Sequence, residues 1–228
     1  MKAKFGMVVV AGSGKIGGHV ASRNRAGAYF RTKVTPVNPQ TASQTSVRSL
    51  LTTLSQAWRA LTEAQRAAWN SAVSSFARTD IFGDIKNPTG FNLYQRLNNN
   101  LAQAGQAFID EPPLPGEVPV GVFAQFLYDL DGPSFVIDTT SVPAGTTLLV
   151  DATAPQSPGK SFVKSEFRRI ATFPAATSMP AGILAQYTAK FGAGQEGQKV
   201  FVRVKFVNNV TGQVSQEQTL SGLIVDNG

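Results

Sequence analysis

Apolar residues follow two different rhythms along this chain, and each predicts a different kind of structure. Val47, Leu50, Leu51, Leu54, Trp58 and Leu61 step by three or four, the spacing of one face of an α-helix. Thr62-Glu63-Ala64-Gln65 follows at once and fits a capping box, with the threonine capping a new helix and Gln65 reaching back to it. Ala68, Trp69, Ala72, Val73 and Phe76 mark that second helix. A break with so little chain predicts a tight corner or an antiparallel hairpin. Trp58 and Trp69 are expected to meet near it, as packing residues of a helical module rather than a ligand-stacking pair. Residues 78–89 read as a loop. Thr89 or Gly90 opens a third helix bearing Phe91, Tyr94, Leu97 and Leu101. Its polar face carries Asn98-Asn99-Asn100, which either frays or hydrogen-bonds to a neighbour.

Beyond residue 120 the rhythm shortens to two. In Lys199-Val200-Phe201-Val202-Arg203-Val204-Lys205-Phe206, Val200, Val202, Val204 and Phe206 share one side and Lys199, Arg203 and Lys205 the other, as in a half-buried strand. Strands are expected over 120–128, 134–139, 146–152, 162–173, 185–191, 199–207 and 213–225. Their number, in roughly 110 residues, is the size and cadence of an immunoglobulin-like sandwich. The turn Val210-Thr211-Gly212-Gln213 and its flanks resemble the last hairpin of fibronectin type III domains over about twenty-five residues. Residues 110–119 hold Pro112, Pro113, Pro115 and Pro119, the composition of a stiff, extended linker.

Residues 1–40 show neither rhythm. Glycines recur at 6, 12, 14, 17, 18 and 27, residues 7–11 and 28–34 are short β-prone pieces that could pair, and Pro36-Val37-Asn38-Pro39 breaks the chain. So much glycine loses entropy on ordering and has few large side chains to offset it. An extended arm is expected, ordered where another surface receives it. The overall expectation is a multi-domain α+β chain: a Gly-rich basic arm (1–40), a helical module (41–109), a Pro-rich linker (110–119) and an Ig/fibronectin-III-like sandwich (120–228).

Charge sharpens the picture of the arm. The 228 residues carry a net +7, yet no acid precedes Glu63 while Lys2, Lys4, Lys15, Arg23, Arg25, Arg31, Lys33, Arg48 and Arg59 all do. Such asymmetry suits an anionic partner, either nucleic acid or an acidic protein surface; plain solubility is the alternative. Lys2, Lys4, Lys15, Arg23, Arg25, Tyr29, Arg31 and Lys33 are the candidate contact residues. Bases interleaved with aromatics can hold phosphates and stack bases, or lie across a neighbouring subunit. With no nucleic-acid-binding fold evident, the protein partner is the preferred expectation.

Other chemistry is sparse. With no cysteine, disulfides, thiolate metal sites and cysteine nucleophiles are excluded. No run reaches the ~18 apolar residues needed to cross a bilayer, and residues 1–11 read as part of the mature protein rather than a signal. Gly12-Ser13-Gly14-Lys15-Ile16-Gly17 matches GxGxxG, but no helical pattern follows it and no acid lies ~20 residues on to hold a ribose. The single histidine, His19, has no acid near it in sequence and so suggests no metal set or triad. Asp129 and Asp131 flank a turn that more readily serves backbone hydrogen bonding than calcium. Asn209-Val210-Thr211 is a bare sequon. No catalytic group, metal, cofactor or small-molecule substrate is expected, and the chain reads as a structural or binding protein rather than an enzyme.

Gly14-Lys15-Ile16-Gly17-Gly18, Arg31-Thr32-Lys33-Val34-Thr35-Pro36-Val37-Asn38-Pro39-Gln40-Thr41, Gln56-Ala57-Trp58 and Leu61-Thr62-Glu63-Ala64-Gln65-Arg66-Ala67-Ala68-Trp69 together resemble a loosely defined group of uncharacterised proteins of phages, prophages and environmental bacteria. The likeness spans roughly residues 12–110. It implies a phage context and, by architectural analogy, a capsid- or tail-associated virion protein anchored by its N-terminal arm among other virion proteins or copies of itself. Two alternatives stay open. One is a nucleic-acid-binding or packaging-associated protein, located in the virion or the bacterial cytoplasm; the other is an adhesion or carbohydrate-binding module built on the sandwich.

Overall fold

The structure, a computed structural model, describes residues 2–3, 12–25, 27–120, 123–130, 135–139 and 141–226. Lys4, Asp131 and the β-prone piece at 7–11 lie outside them. The protein is mixed α+β and forms two compact units, Met1–Thr52 with Ala77–Asn87, and Thr53–Phe76 with Pro88–Gly228.

In the first unit, β1 (Lys2–Ala3), β2 (Gly14–Ile16), β3 (His19–Asn24) and β4 (Gly27–Thr32) make an antiparallel sheet in the order β1-β4-β3-β2. The expected extended arm is thus a sheet over much of its length. Val20, Tyr29 and Phe30 are the β-prone residues of β3 and β4. The turn is set by Gly17 and Gly18 between the paired residues Ile16 and His19; Gly17 has φ +55°, which a two-residue hairpin turn of this kind needs and glycine adopts without strain. Residues 33–41 run on without regular structure and exposed. Then α1 (Ala42–Ala60) begins, its first turns beside Asn38, whose Oδ1 accepts from Arg48 at 2.8 Å. A small hairpin of β5 (Arg78–Thr79) and β6 (Ile85–Lys86) completes the unit, where sequence reading expects a plain loop.

The second unit holds the end of α1, then α2 (Glu63–Ala72) and α3 (Gly90–Gln103). The capping box forms as its sequence predicts: Thr62 Oγ1 accepts the Gln65 N–H at 3.2 Å while Gln65 Oε1 accepts the Thr62 N–H at 2.9 Å. Trp58 and Trp69 come together through a third ring. Each lies 5.3 Å from Tyr94 of α3, and the Trp69–Tyr94 pair is edge-on. Both tryptophans therefore pack the helices, and Trp69 is fully buried.

A curled seven-stranded sheet follows, made of β7 (Phe123–Asp129), β8 (Phe135–Thr139), β9 (Thr146–Ala152), β10 (Arg168–Phe173), β11 (Ala181–Gly182), β12 (Lys199–Asn208) and β13 (Gln218–Val225). Its order is β10-β9-β12-β13-β7-β8-β11, with β13 and β7 parallel and the other neighbours antiparallel. The alternation read in β12 holds: Val200, Val202, Val204 and Phe206 enter the core with Leu148, Val150, Ala152 and Ile224.

Two expectations for this region need correction. Residues 185–191 are not a strand but part of a helix, α4 (Leu184–Phe191), so the C-terminal part is not all-β. Leu184, Tyr187 and Phe191 fall three and four apart, and all three join the core; Tyr187 also donates its hydroxyl to the Thr153 carbonyl at 3.0 Å. Only Arg168–Phe173 of the long stretch 162–173 is a strand.

Residues 110–119 lack regular structure, yet they are not a free spacer between modules. Asn98 donates to the Ile109 carbonyl at 3.1 Å and accepts the Ile109 N–H at 2.7 Å. Trp69 donates to the Asp110 carbonyl at 2.8 Å. At the far end Gln213 donates to the Leu114 carbonyl at 2.7 Å and accepts the Gly116 N–H at 2.8 Å, and Val118 packs on the sheet's core. The helices also touch the sheet directly. Asn100 donates to the Gly212 carbonyl at 2.8 Å, and Ala104 joins Leu149 and Val207 on the side of β9 and β12 away from the main core. Gly212 has φ +67°, and a Cβ there would stand 2.3 Å from the Leu97 carbonyl oxygen.

On the same side of the sheet, the buried Asp151 carboxylate lies between the guanidinium groups of Arg169 and Arg203, and Arg203 also bonds Glu217 at 3.0 Å. Burial alone would raise the Asp151 pKa; the hydrogen bonds and charges of Arg169 and Arg203 outweigh it and hold the carboxyl below the usual carboxylate range.

Three outcomes follow from this packing. Asn98→Ala strips both backbone partners of Ile109 and is expected to cost about 2–4 kcal/mol in urea unfolding. Gly212→Ala combines a left-handed backbone with a collision against α3 and should cost a similar amount, about 2–4 kcal/mol, seen as a lowered Tm. Because the folded-state pKa of Asp151 is depressed, its contribution is complete above about pH 4 and is lost as pH falls through the folded value. Stability measured from pH 6 down to 3 should therefore drop less steeply in Asp151→Asn than in the parent protein.

Candidate functional site

Strand register sorts the basic residues of the first unit onto two faces. Lys15 pairs with Val20 and Val20 with Arg31; Ser22 pairs with Tyr29, which also faces Lys2 of β1. Directly paired residues of an antiparallel sheet share a face, and alternate residues of one strand do too. One face therefore presents Lys15, Val20, Ser22, Tyr29 and Arg31, with Lys2 at the register position beside Tyr29. The other carries Ile16, His19, Ala21, Arg23, Ala28 and Phe30. Arg25 sits in the turn between β3 and β4, and Lys33 follows β4 directly, its N–H bonded to the Gly18 carbonyl at 2.8 Å.

The candidate residues are thus partly brought together. Lys15, Arg31, Lys33 and Tyr29 lie on or beside one face, Arg23 opposes them, Arg25 is at an end, and Lys4 lies outside the described residues. Lys15, Arg23, Arg25, Arg31 and Lys33 are exposed and Tyr29 is half-buried. None of these five bases is ion-paired to an acid among the described residues; the pairs formed there involve Lys86, Lys160, Arg169, Arg203 and Lys205.

Charge separates by unit as well as by position along the chain. The first unit has ten bases against Asp80 and Asp84, a net of +8; the second has eleven bases and twelve acids, a net of −1. Arg78 and Lys86 belong to the basic unit only because the chain returns to it after α2, which no linear charge count reveals. Even its two acids are occupied: Asp80 Oδ1 accepts the N–H groups of Phe82 and Asp84 within its own hairpin, and Asp84 pairs with Lys86 at 3.7 Å.

The GxGxxG glycines take a different part from the one the motif suggests. Gly14 lies in β2 and Gly17 in a β-turn, so the segment is a hairpin and not a strand leading into a helix N-terminus. His19 stands exposed in β3.

The second unit carries an open groove of about 490 Å³ lined by Gln65, Ile109, Asp110, Glu111, Pro113 and Val210. Its carboxylates face no nucleophile or base within that lining, and its rim is the Pro-rich strap.

An apolar feature complements the basic one. The stripe that predicts α1 is covered unevenly: Leu54 is 0% exposed, but Val47, about two helical turns closer to the N-terminus, is 57% exposed. Ile81 and Ile85 of the small hairpin are each 74% exposed. Sequence periodicity marks Val47 as a core position and does not register that its half of the helix lies outside the packed core.

Comparison with protein families, curated proteins and solved structures finds no match.

Since these exposed bases make no ion pairs among the described residues, reversing them should leave the fold intact. Lys15→Glu, Arg31→Glu and Arg23→Glu are each expected to shift stability by no more than about 0.5 kcal/mol, as thermal unfolding followed by circular dichroism would report.

Proposed function

We propose that this chain is a non-enzymatic structural protein of a phage virion, in which the first unit anchors and the second serves as a body that packs or projects. The observation that carries this reading is the contrast between the units. The second closes its core and pairs its buried charge, whereas in the first Lys15, Arg23, Arg25, Arg31 and Lys33 have no ion-pair partner among the described residues and large apolar side chains stand uncovered. Exposed apolar side chains at Val47, Ile81 and Ile85 suit coverage by a neighbouring subunit, and a net +8 suits a neighbour of opposite charge. The phage context comes from the resemblance of residues 12–110.

The body is read as an Ig/fibronectin-III-like sandwich. Support comes from the strand order: β10-β9-β12-β13 and β7-β8-β11 suit the two sheets of a Greek-key sandwich, with the parallel β13–β7 pair as the place where one curls into the other. Such domains serve as rigid spacers, and here the helices brace one of its faces.

The test is the native mass of nuclease-treated, full-length protein by sedimentation, at low and high salt. Discrete oligomers that persist at high salt and dissociate in Val47→Glu, with the circular dichroism of the body unchanged, are the expected result. A monomer under every condition would overturn self-assembly as its mode of action.

A further inference from the structure

We infer that the face of the N-terminal sheet bearing Lys15, Tyr29 and Arg31 binds single-stranded nucleic acid along its phosphodiester backbone. This rests on the first unit being the anchor and names what that anchor holds. Lys15 on β2 and Arg31 on β4 flank Val20 in one row across three strands, and Tyr29 lies in the next row beside Ser22. Neighbouring strands stand about 4.8 Å apart and same-face residues of one strand about 6.8 Å. The two cations and the ring therefore fall within a patch roughly 10 Å across, with Lys33 at its margin.

Chemistry then selects the ligand. Lys15, Arg31 and Lys33 are exposed, have no acidic partner among the described residues, and belong to a unit whose two acids are engaged in one hairpin. A protein interface needs an apolar centre ringed by polar groups. Among the described residues the one aliphatic side chain on this face is Val20, half-buried, while the 62% exposed Ile16 points to the opposite side and the uncovered apolar residues of α1 and the β5–β6 hairpin lie on other elements. Cations spaced around one aromatic ring on an open sheet are instead the arrangement that tracks a sugar–phosphate chain and lets a base stack. Protein contact and nucleic-acid contact thus fall to different elements of the same unit.

The experiment uses full-length, nuclease-treated protein and fluorescence anisotropy with labelled twelve-nucleotide oligo-dT and oligo-U. A polyglutamate peptide of equal charge stands for an acidic protein. Three phosphate contacts predict a log–log salt slope of about −2, so binding should weaken roughly 20-fold between 50 and 200 mM salt. Arg31→Glu and Lys15→Glu should each weaken binding by about tenfold and flatten that slope. Arg23→Glu makes the same charge change on the opposite face and should cost no more than about twofold, the long-range part of the electrostatic attraction. Tyr29→Ala should lose about fivefold or more through stacking, with Tyr29→Phe restoring it; unchanged thermal unfolding of each variant shows that the fold persists. Equal losses from Arg23→Glu and Arg31→Glu would overturn the inference, because net charge alone would then account for binding. Polyglutamate binding as tightly as the oligonucleotides would overturn it in favour of a protein partner. Failure of both oligonucleotides to bind, in protein that still oligomerises through Val47, would sink this inference and leave the assembly reading standing.

Discussion

A proline-rich segment cannot satisfy its own backbone, because it lacks donors at each proline and cannot join a ladder, and the way this chain meets that constraint determines how its second unit is built. Asn98 closes on both polar groups of Ile109, Trp69 takes the Asp110 carbonyl, and Gln213 takes Leu114 and Gly116. These partners come from α3, α2 and the turn before β13. The strap is therefore held at one end by helices and at the other by the sheet. Removing Asn98 would leave a half-buried pair of backbone groups at Ile109 without these partners, which adds a desolvation cost to the loss of the bonds themselves. The same tie explains why Gly212 must be glycine: the turn is drawn so near α3 that Leu97 leaves no room for a Cβ.

What the sequence makes legible is what repeats locally. The helical stripe, the Thr62–Gln65 cap and the period-two pattern of β12 each depend on residues only a few positions apart, and each is found where it is read. The failures share a different cause. Residues 185–191 look like a strand by composition, and only the three- and four-residue steps of Leu184, Tyr187 and Phe191 mark the helix. Residues 110–119 have a linker's composition, and their fastening depends on Asn98 and Gln213, distant in sequence. Asn98-Asn99-Asn100 poses the choice of fraying or bonding to a neighbour, and the fold supplies the neighbours: Ile109 for Asn98 and Gly212 for Asn100.

The candidate site was legible in content but not in arrangement. Composition finds the bases, since an acid-free stretch of that length stands out in any reading. It does not separate Arg31 from Arg23, because facing depends on the register of β3 on β4, which closes at the Asn24–Gly27 pair. A one-residue slip would exchange every side chain between faces. Nor does it add Arg78 and Lys86 to the basic unit, which happens only through the return of the chain at Ala77–Asn87.

The first unit exposes both cations and large apolar side chains, and the combination has an energetic consequence. Exposed cations give attraction that is long-ranged and weakened by salt. Uncovered apolar side chains such as Val47 and Ile85 give attraction that is short-ranged and insensitive to it. An anchor using both would be drawn to an anionic surface first and held by apolar contact afterwards, and the second contact would form at the high effective concentration set by the first. A few modest contacts per copy then suffice where many copies are arrayed together. Such an anchor can leave its own surface unfinished, since the neighbour it meets supplies the missing cover.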